Sequence, residues 1–167
     1  MSRNLKYAHL LQEDILLWEE FLKSRHNAFD FYEYDVRVGK GRPAEPGTPS
    51  NIAQMATDLS QRRIDVVAHI AGTQTCIEIT VKADMKCLGQ TIAYPKLYLE
   101  TFPKSKTRGS WVVTRQIGTD LAQVFSSTGT FVIVLPRDPA PEDTTYTTAQ
   151  GVHITKLLPE EVEDGDF

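Results

Sequence analysis

Two carboxylates stand in this chain where a carboxylate is expensive. Asp65 lies near the start of an apolar run at residues 64–71, and Glu78 lies inside a second one at residues 76–81. Burial strips such a group of its hydration, so it needs a cation or hydrogen bonds to remain ionised. Strand alternation puts Glu78, Thr80 and Lys82 on one face of the second run and Ile77, Ile79 and Val81 on the other, so one polar face carries both an acid and a base. Gln90 and Tyr94 follow at a spacing of four, which brings them together on a helix surface. Arg62 and Arg63 directly precede Asp65. Beside two carboxylates they either form structural ion pairs or reach a phosphate as bidentate donors. Structural pairing of Asp65 and Glu78 with Arg62, Arg63 or Lys82 is one reading of this set, and catalysis is the other.

The set resembles the PD-(D/E)XK nuclease superfamily. In that family an Asp at a strand start and a Glu on the next strand hold a divalent metal. A Lys two residues after the Glu assists the attacking water, and the following helix carries a QxxxY pattern. Asp65, Glu78, Gln90 and Tyr94 match by position, whereas the Lys position is occupied by Thr80. The nearest Lys, Lys82, lies one strand repeat further on, about 7 Å away. The resemblance covers roughly residues 5–115 in element order.

It implies a restriction-endonuclease-like αβββαβ core and hydrolysis of DNA phosphodiester bonds. Asp65, Glu78 and the backbone carbonyl of Ile79 would supply hard oxygen ligands suited to Mg²⁺ or Mn²⁺. An acid from the first helix, Glu13 or Glu20, would complete the metal site. Lys82 would reach back to the family's Lys role, and Gln90 and Tyr94 would orient the water, the acid or the DNA backbone. Arg62, Arg63, Lys40, Arg42 and Lys86 are the expected nucleic-acid contacts. The chain also resembles compact nucleases of phages and mobile elements. The departure at Thr80 keeps a second function class open: a catalytically degenerate nuclease-like module that binds nucleic acid or a protein partner.

Length and composition bound these readings. A chain of 167 residues can bury a core without disulfides, and 41% hydrophobic with 24% charged residues is ordinary for a globular protein. No apolar run approaches the roughly 20 residues of a membrane helix, and residues 1–10 hold no signal-peptide block, so the expectation is a cytoplasmic protein. Cys76 and Cys87 lack zinc spacing and read as small buried thiols. The net charge of −4 hides an asymmetry: residues 82–115 carry seven bases against two acids, while residues 137–167 carry two bases against eight acids. Local patches rather than totals steer nucleic-acid binding. The small size of such a nuclease points to a homodimer or a larger complex.

The elements that must position these groups read as α/β, with a mixed central sheet flanked by helices. Residues 4–25 form an amphipathic helix on the stripe Leu11, Ile15, Trp18, Leu22, with Asn4 as cap and Asn27 as stop. Residues 29–38 alternate as a first strand whose Tyr32, Tyr34, Val36 and Val38 face the core. A Gly/Pro loop at residues 39–49 reads as a flap, followed by a short helix at residues 51–59. Strands are expected at residues 64–71, 76–81, 109–114 and 131–135, with helices at residues 86–98 and 120–127. The strand at residues 131–135 is apolar enough to be buried on both faces. Pro95 interrupts the helical period and predicts a bend or a restart after Tyr94. His69 shares strand parity with Asp65, so it either flanks the site or, as is commoner for a lone strand His, is structural. Residues 1–136 are read as the nuclease-like domain. Residues 137–167 are read as an extension with a possible edge strand at 152–158 and a mobile acidic tail.

Overall fold

The computed structural model describes residue 7, residues 9–24 and residues 29–135. The expected cap Asn4, the stop Asn27 and the whole 137–167 extension, with its edge strand and tail, lie outside these residues. The described chain is α/β, in the order α1 (Gln12–Ser24), β1 (Phe31–Val38), α2 (Ser50–Ser60), β2 (Arg62–Ile70), β3 (Thr73–Ala83), α3 (Met85–Thr101), β4 (Thr107–Ile117), α4 (Thr119–Ser127), β5 (Phe131–Val134). The strands form one mixed sheet in sequence order. β1, β2 and β3 are antiparallel neighbours, and β4 and β5 continue parallel to β3 through the α3 and α4 crossovers.

Both faces of the sheet are covered. On one, Leu17, Trp18 and Phe21 of α1 pack against Val66, Ala68, Ile77, Ile79, Val113 and Ile133. On the other, Tyr94 and Tyr98 of α3 meet Val38, Ile64, Val67 and Cys76, and Cys87, Leu88 and Phe125 meet Val112 and Val132. Burial of alternate strand residues on opposite faces is what makes β2, β3 and β4 nearly continuous apolar runs. β5 is likewise covered on both faces although it ends the sheet, because Val132 and Ile133 join different cores.

The first helix differs from the sequence expectation in start and in face. It begins at Gln12, and its buried stripe is Leu17, Trp18 and Phe21, while Leu11 is 73% exposed and Ile15 and Leu22 lie only at the margin. In this phase both large aromatic side chains of the helix, Trp18 and Phe21, are buried, which removes more apolar area from water than burying Trp18 alone. In the first strand all four expected residues pack inward, but into two cores. Tyr32 and Tyr34 face the α1 side, and Val36 and Val38 face the α3 side. The change falls at Asp35, whose φ of 55° places it in the left-handed region and turns the strand over.

The loop before α2 is tied down rather than loose at its start. Gly39 N–H donates to Thr101 Oγ1 at 3.0 Å, Gln61 donates to the Gly39 carbonyl at 2.6 Å, and Arg42 N–H donates to Ser60 Oγ at 2.6 Å. Gly41 sits at φ 68° with the Thr57 carbonyl oxygen 2.3 Å from where a Cβ would be, so no side chain fits there. α2 itself buries none of its residues.

The bend expected at Pro95 does not end the helix. α3 runs through it as one element, because the Thr91 carbonyl that Pro95 deprives of its helical N–H accepts from Ser110 Oγ of β4 at 2.6 Å.

Candidate functional site

β2 and β3 stop pairing at the point where the two carboxylates meet. The last bridge of their ladder is Val66 with Ile77, and the same register sets Asp65 opposite Glu78. Asp65 replaces the missing bridge with its side chain, as Oδ2 accepts from the Ile79 N–H at 2.9 Å. On its other flank the β1–β2 ladder likewise passes over the Asp35–Asp65 position, between Tyr34–Val66 and Val36–Ile64. Asp65 therefore occupies a gap in both ladders, which frees it to turn toward β3.

A third carboxylate arrives from α1. Asp14 Oδ1 accepts from the Val81 N–H at 3.1 Å, tying the first turn of the helix to the end of β3. Asp14 stands at i, i+3, i+4 and i+7 with Leu17, Trp18 and Phe21, so it is the polar end of the buried stripe.

Burial raises all three acids. Burial, followed by the charges of Asp14 and Asp35, pushes Asp65 up to about 6; the Ile79 N–H and Lys86 oppose it. Glu78 is pushed up to about 9, first by burial and then by Asp65; Lys86 and the Gln90 amide oppose, and Asp14 adds to the rise. Asp14 is also raised, mainly by burial, against the bond from Val81. Glu78 is only 8% exposed, and its Oε2 has no hydrogen-bond partner. Such an oxygen calls for a proton or a cation.

The fit of a metal is decided by the donor set. Among the described residues no group of three or more His, Cys, Asp or Glu side chains is placed to hold an ion. Two carboxylates, one with a bare buried oxygen, match what Mg²⁺ usually takes from a protein, since it keeps several waters and leaves room for substrate phosphate. They do not match the closed nitrogen and sulfur sets of structural zinc.

α3 forms the wall beside these groups. Its N-cap Asp84 accepts from the Cys87 N–H at 2.9 Å. Lys86, Gln90 and Tyr94 then follow at successive turns on one stripe, and Gln90 Nε2 donates to Tyr94 Oη at 2.9 Å. Burial pushes the Tyr94 hydroxyl up to about 12, with Glu78 and Asp65 adding to the rise and Gln90 and Arg62 opposing it. It stays neutral at ordinary pH and acts as a hydrogen-bonding group. Burial also pushes the Cys76 and Cys87 thiols up to about 12.

The other expected residues are spread around this group. Glu20 pairs with Arg115 at 2.6 Å, and Arg115 also donates to the Leu135 carbonyl. Glu13 lies beside Asp14 and adds to its rise. Lys82 is exposed at the end of β3 opposite Gln116, and the Thr80 hydroxyl donates to its carbonyl at 3.2 Å. Arg63 is held by Asp35 at 2.7 Å and also contacts His9. Arg62 and Lys86 are exposed, as are Lys40 and Arg42 on the tied loop. His69 does not flank the carboxylates. It stacks on Phe31 at 3.9 Å, about 13 Å along β2 from Asp65.

Sequence reasoning missed Asp14 and Asp35. Asp14 was legible as an acid continuing the Leu17, Trp18, Phe21 face into the first turn; Asp35 left only the weak signal that Asp tolerates the left-handed region better than most residues. Comparison with family models, curated proteins and solved structures returns no match for this chain. Among the described residues no helix is long and apolar enough to cross a membrane.

Proposed function

We propose that this chain is a metal-dependent nuclease that hydrolyses phosphodiester bonds of DNA. The observation that carries the reading is the buried Asp65–Glu78 pair at a gap in the strand ladders, with Asp65 adding to the rise of Glu78 and one Glu78 oxygen unpartnered. A purely structural carboxylate in a core strand would have a cation or donors on every oxygen.

Asp65 and Glu78, with the Ile79 carbonyl, would hold Mg²⁺ or Mn²⁺. Such an ion, when bound, lowers the pKa of a coordinated water and takes up charge developing on the phosphate. The Ile79 N–H fixes the Asp65 carboxylate, and Asp14 fixes the end of β3 beyond Glu78, so both ligands stand on anchored strands rather than on loops. Gln90, bonded to Tyr94 and close to Glu78, orients the attacking water or the phosphate. In the hydrolysis a water oxygen bonds to phosphorus and the bond to the leaving sugar oxygen breaks. The water's proton passes to solvent, and the leaving oxygen takes one from solvent.

A second reading rests on Thr80. With no cation at that position, a scaffold that binds nucleic acid or a protein partner without cutting it is the alternative. Calorimetric titration of Mn²⁺ into the protein and into Glu78→Ala, followed by incubation with supercoiled, linear and single-stranded DNA, separates the two. Metal binding lost in the variant together with metal-dependent cleavage supports the nuclease. Absence of both removes it in favour of the binding module.

A further inference from the structure

We propose that Lys86, one turn before Gln90 on α3, is the catalytic cation of this site, holding the reacting phosphate against the carboxylates in place of Lys82. The inference rests on the nuclease reading and deepens it.

Geometry separates the two lysines. Lys82 stands four residues beyond Glu78 on β3, about 13 Å along the strand, and strand side chains project roughly perpendicular to the sheet. Lys82 therefore points out beside the site rather than back along it. Lys86 lies about 6 Å from Gln90 along the α3 axis and on the same stripe, and that stripe runs past Glu78 to the buried Tyr94. Gln90, one turn on, hydrogen-bonds Glu78, and Lys86 is the cation whose charge reaches both Asp65 and Glu78.

The free end of α3 cannot do this work in its place. Asp84 already occupies the Cys87 N–H, and its negative charge opposes an anion at the helix N-terminus. Lys86 is exposed, and its helix is capped two residues earlier by Asp84. An ammonium so placed can hydrogen-bond a non-bridging phosphate oxygen in the transition state, where charge is greatest.

The test uses the full chain, Mn²⁺ and supercoiled plasmid DNA. Lys86→Cys should lower kcat by roughly 100-fold or more, the usual effect of losing one preorganised donor, and Lys82→Ala should stay within about 3-fold. Treatment of Lys86→Cys with 2-bromoethylamine alkylates the new thiolate with loss of bromide and restores an ammonium at that position. The native thiols of Cys76 and Cys87 are buried and held protonated, so they do not compete. Recovery of cleavage after alkylation is the expected result.

A second readout needs no turnover. An ammonium beside the carboxylates repels a dication, so DNA-free Lys86→Ala should bind Mn²⁺ several-fold more tightly and Lys82→Ala should not. Cleavage that survives in Lys86→Ala, or unchanged Mn²⁺ affinity in that variant, overturns this inference alone. No cleavage by the unmodified protein overturns the nuclease reading and this inference together.

Discussion

Asp65 Oδ2 accepts the Ile79 N–H at 2.9 Å, so a side chain closes the hydrogen bond that the backbone of β2 leaves open. The carboxylate serves the strand and the site at once, and the two roles can be taken apart. Asp65→Asn keeps an acceptor oxygen and removes the charge that Asp14, Asp35 and Glu78 resist. Asp65→Ala removes both. At pH 8 without metal, Asp65→Asn should melt at or above the unmodified protein, while Asp65→Ala should be about 1–3 kcal/mol less stable than Asp65→Asn. Both should lose Mn²⁺ binding by calorimetry. An asparagine variant that melts well below the alanine variant would show that Ile79 is not bonded in this way.

The metal-free protein should lose stability as pH rises. The folded state holds the Glu78 proton up to about 9 against 4.5 when unfolded, and the Asp65 proton up to about 6 against 3.8. Between those limits the folded state binds more protons than the unfolded one, so unfolding free energy falls with pH, by at most about 1.4 kcal/mol per unit for each titrating group. This contribution is complete below pH 4 and lost by about pH 9. Glu78→Gln should flatten the profile in denaturant melts taken from pH 5 to 9. Saturating Mn²⁺ should oppose the loss, with proton release on binding visible as a buffer-dependent calorimetric enthalpy. A profile equally steep in Glu78→Gln would place the protons elsewhere.

The sheet and its flanking helices were legible because β2, β3 and β4 are covered on both faces and so read as apolar runs broken by glycine turns. The pair Asp65 and Glu78 was legible for the complementary reason, as the charges that break those runs. Two relationships were not. The α1 stripe was read through Leu11 and Ile15, and the actual face turns about one residue to bury Leu17 and Phe21, which carries Asp14 inward with it. Alternation along β1 was read as one face, and the left-handed backbone at Asp35 switches that face halfway. Helix phase and strand inversion are settled by tertiary packing, which the local periodicity of these residues does not record.

The continuity of α3 through Pro95 depends on Ser110. Its hydroxyl and the Thr91 carbonyl are both buried, and the Thr91 hydroxyl is itself joined to Thr130 at 3.3 Å. Ser110→Ala leaves the carbonyl with neither a helical nor a side-chain donor and should cost about 1–3 kcal/mol. Pro95→Ala restores a backbone N–H at the right position. In a double-mutant cycle it should recover part of that loss in the Ser110→Ala background and less in the unmodified one. Additive effects, within about 0.5 kcal/mol, would mean that the two do not share the Thr91 carbonyl.

Adjacent arginines have separate fates at the start of β2, and that separation predicts different phenotypes. Arg63 is committed to Asp35, at the point where β1 inverts, and removing it leaves a part-buried carboxylate beside Asp65. Arg62 is exposed, and its charge is felt at Tyr94. Under the nuclease reading, Arg62→Ala should weaken DNA binding measured with Ca²⁺ in place of Mg²⁺ and lower the slope of log K against log salt by about one phosphate contact. Its melting temperature should barely move. Arg63→Ala should instead lower the melting temperature and leave the salt slope unchanged. The reverse assignment, with Arg63 carrying the salt dependence, would require the Asp35 ion pair to open when DNA binds, and Asp35→Asn would then raise affinity rather than leave it alone.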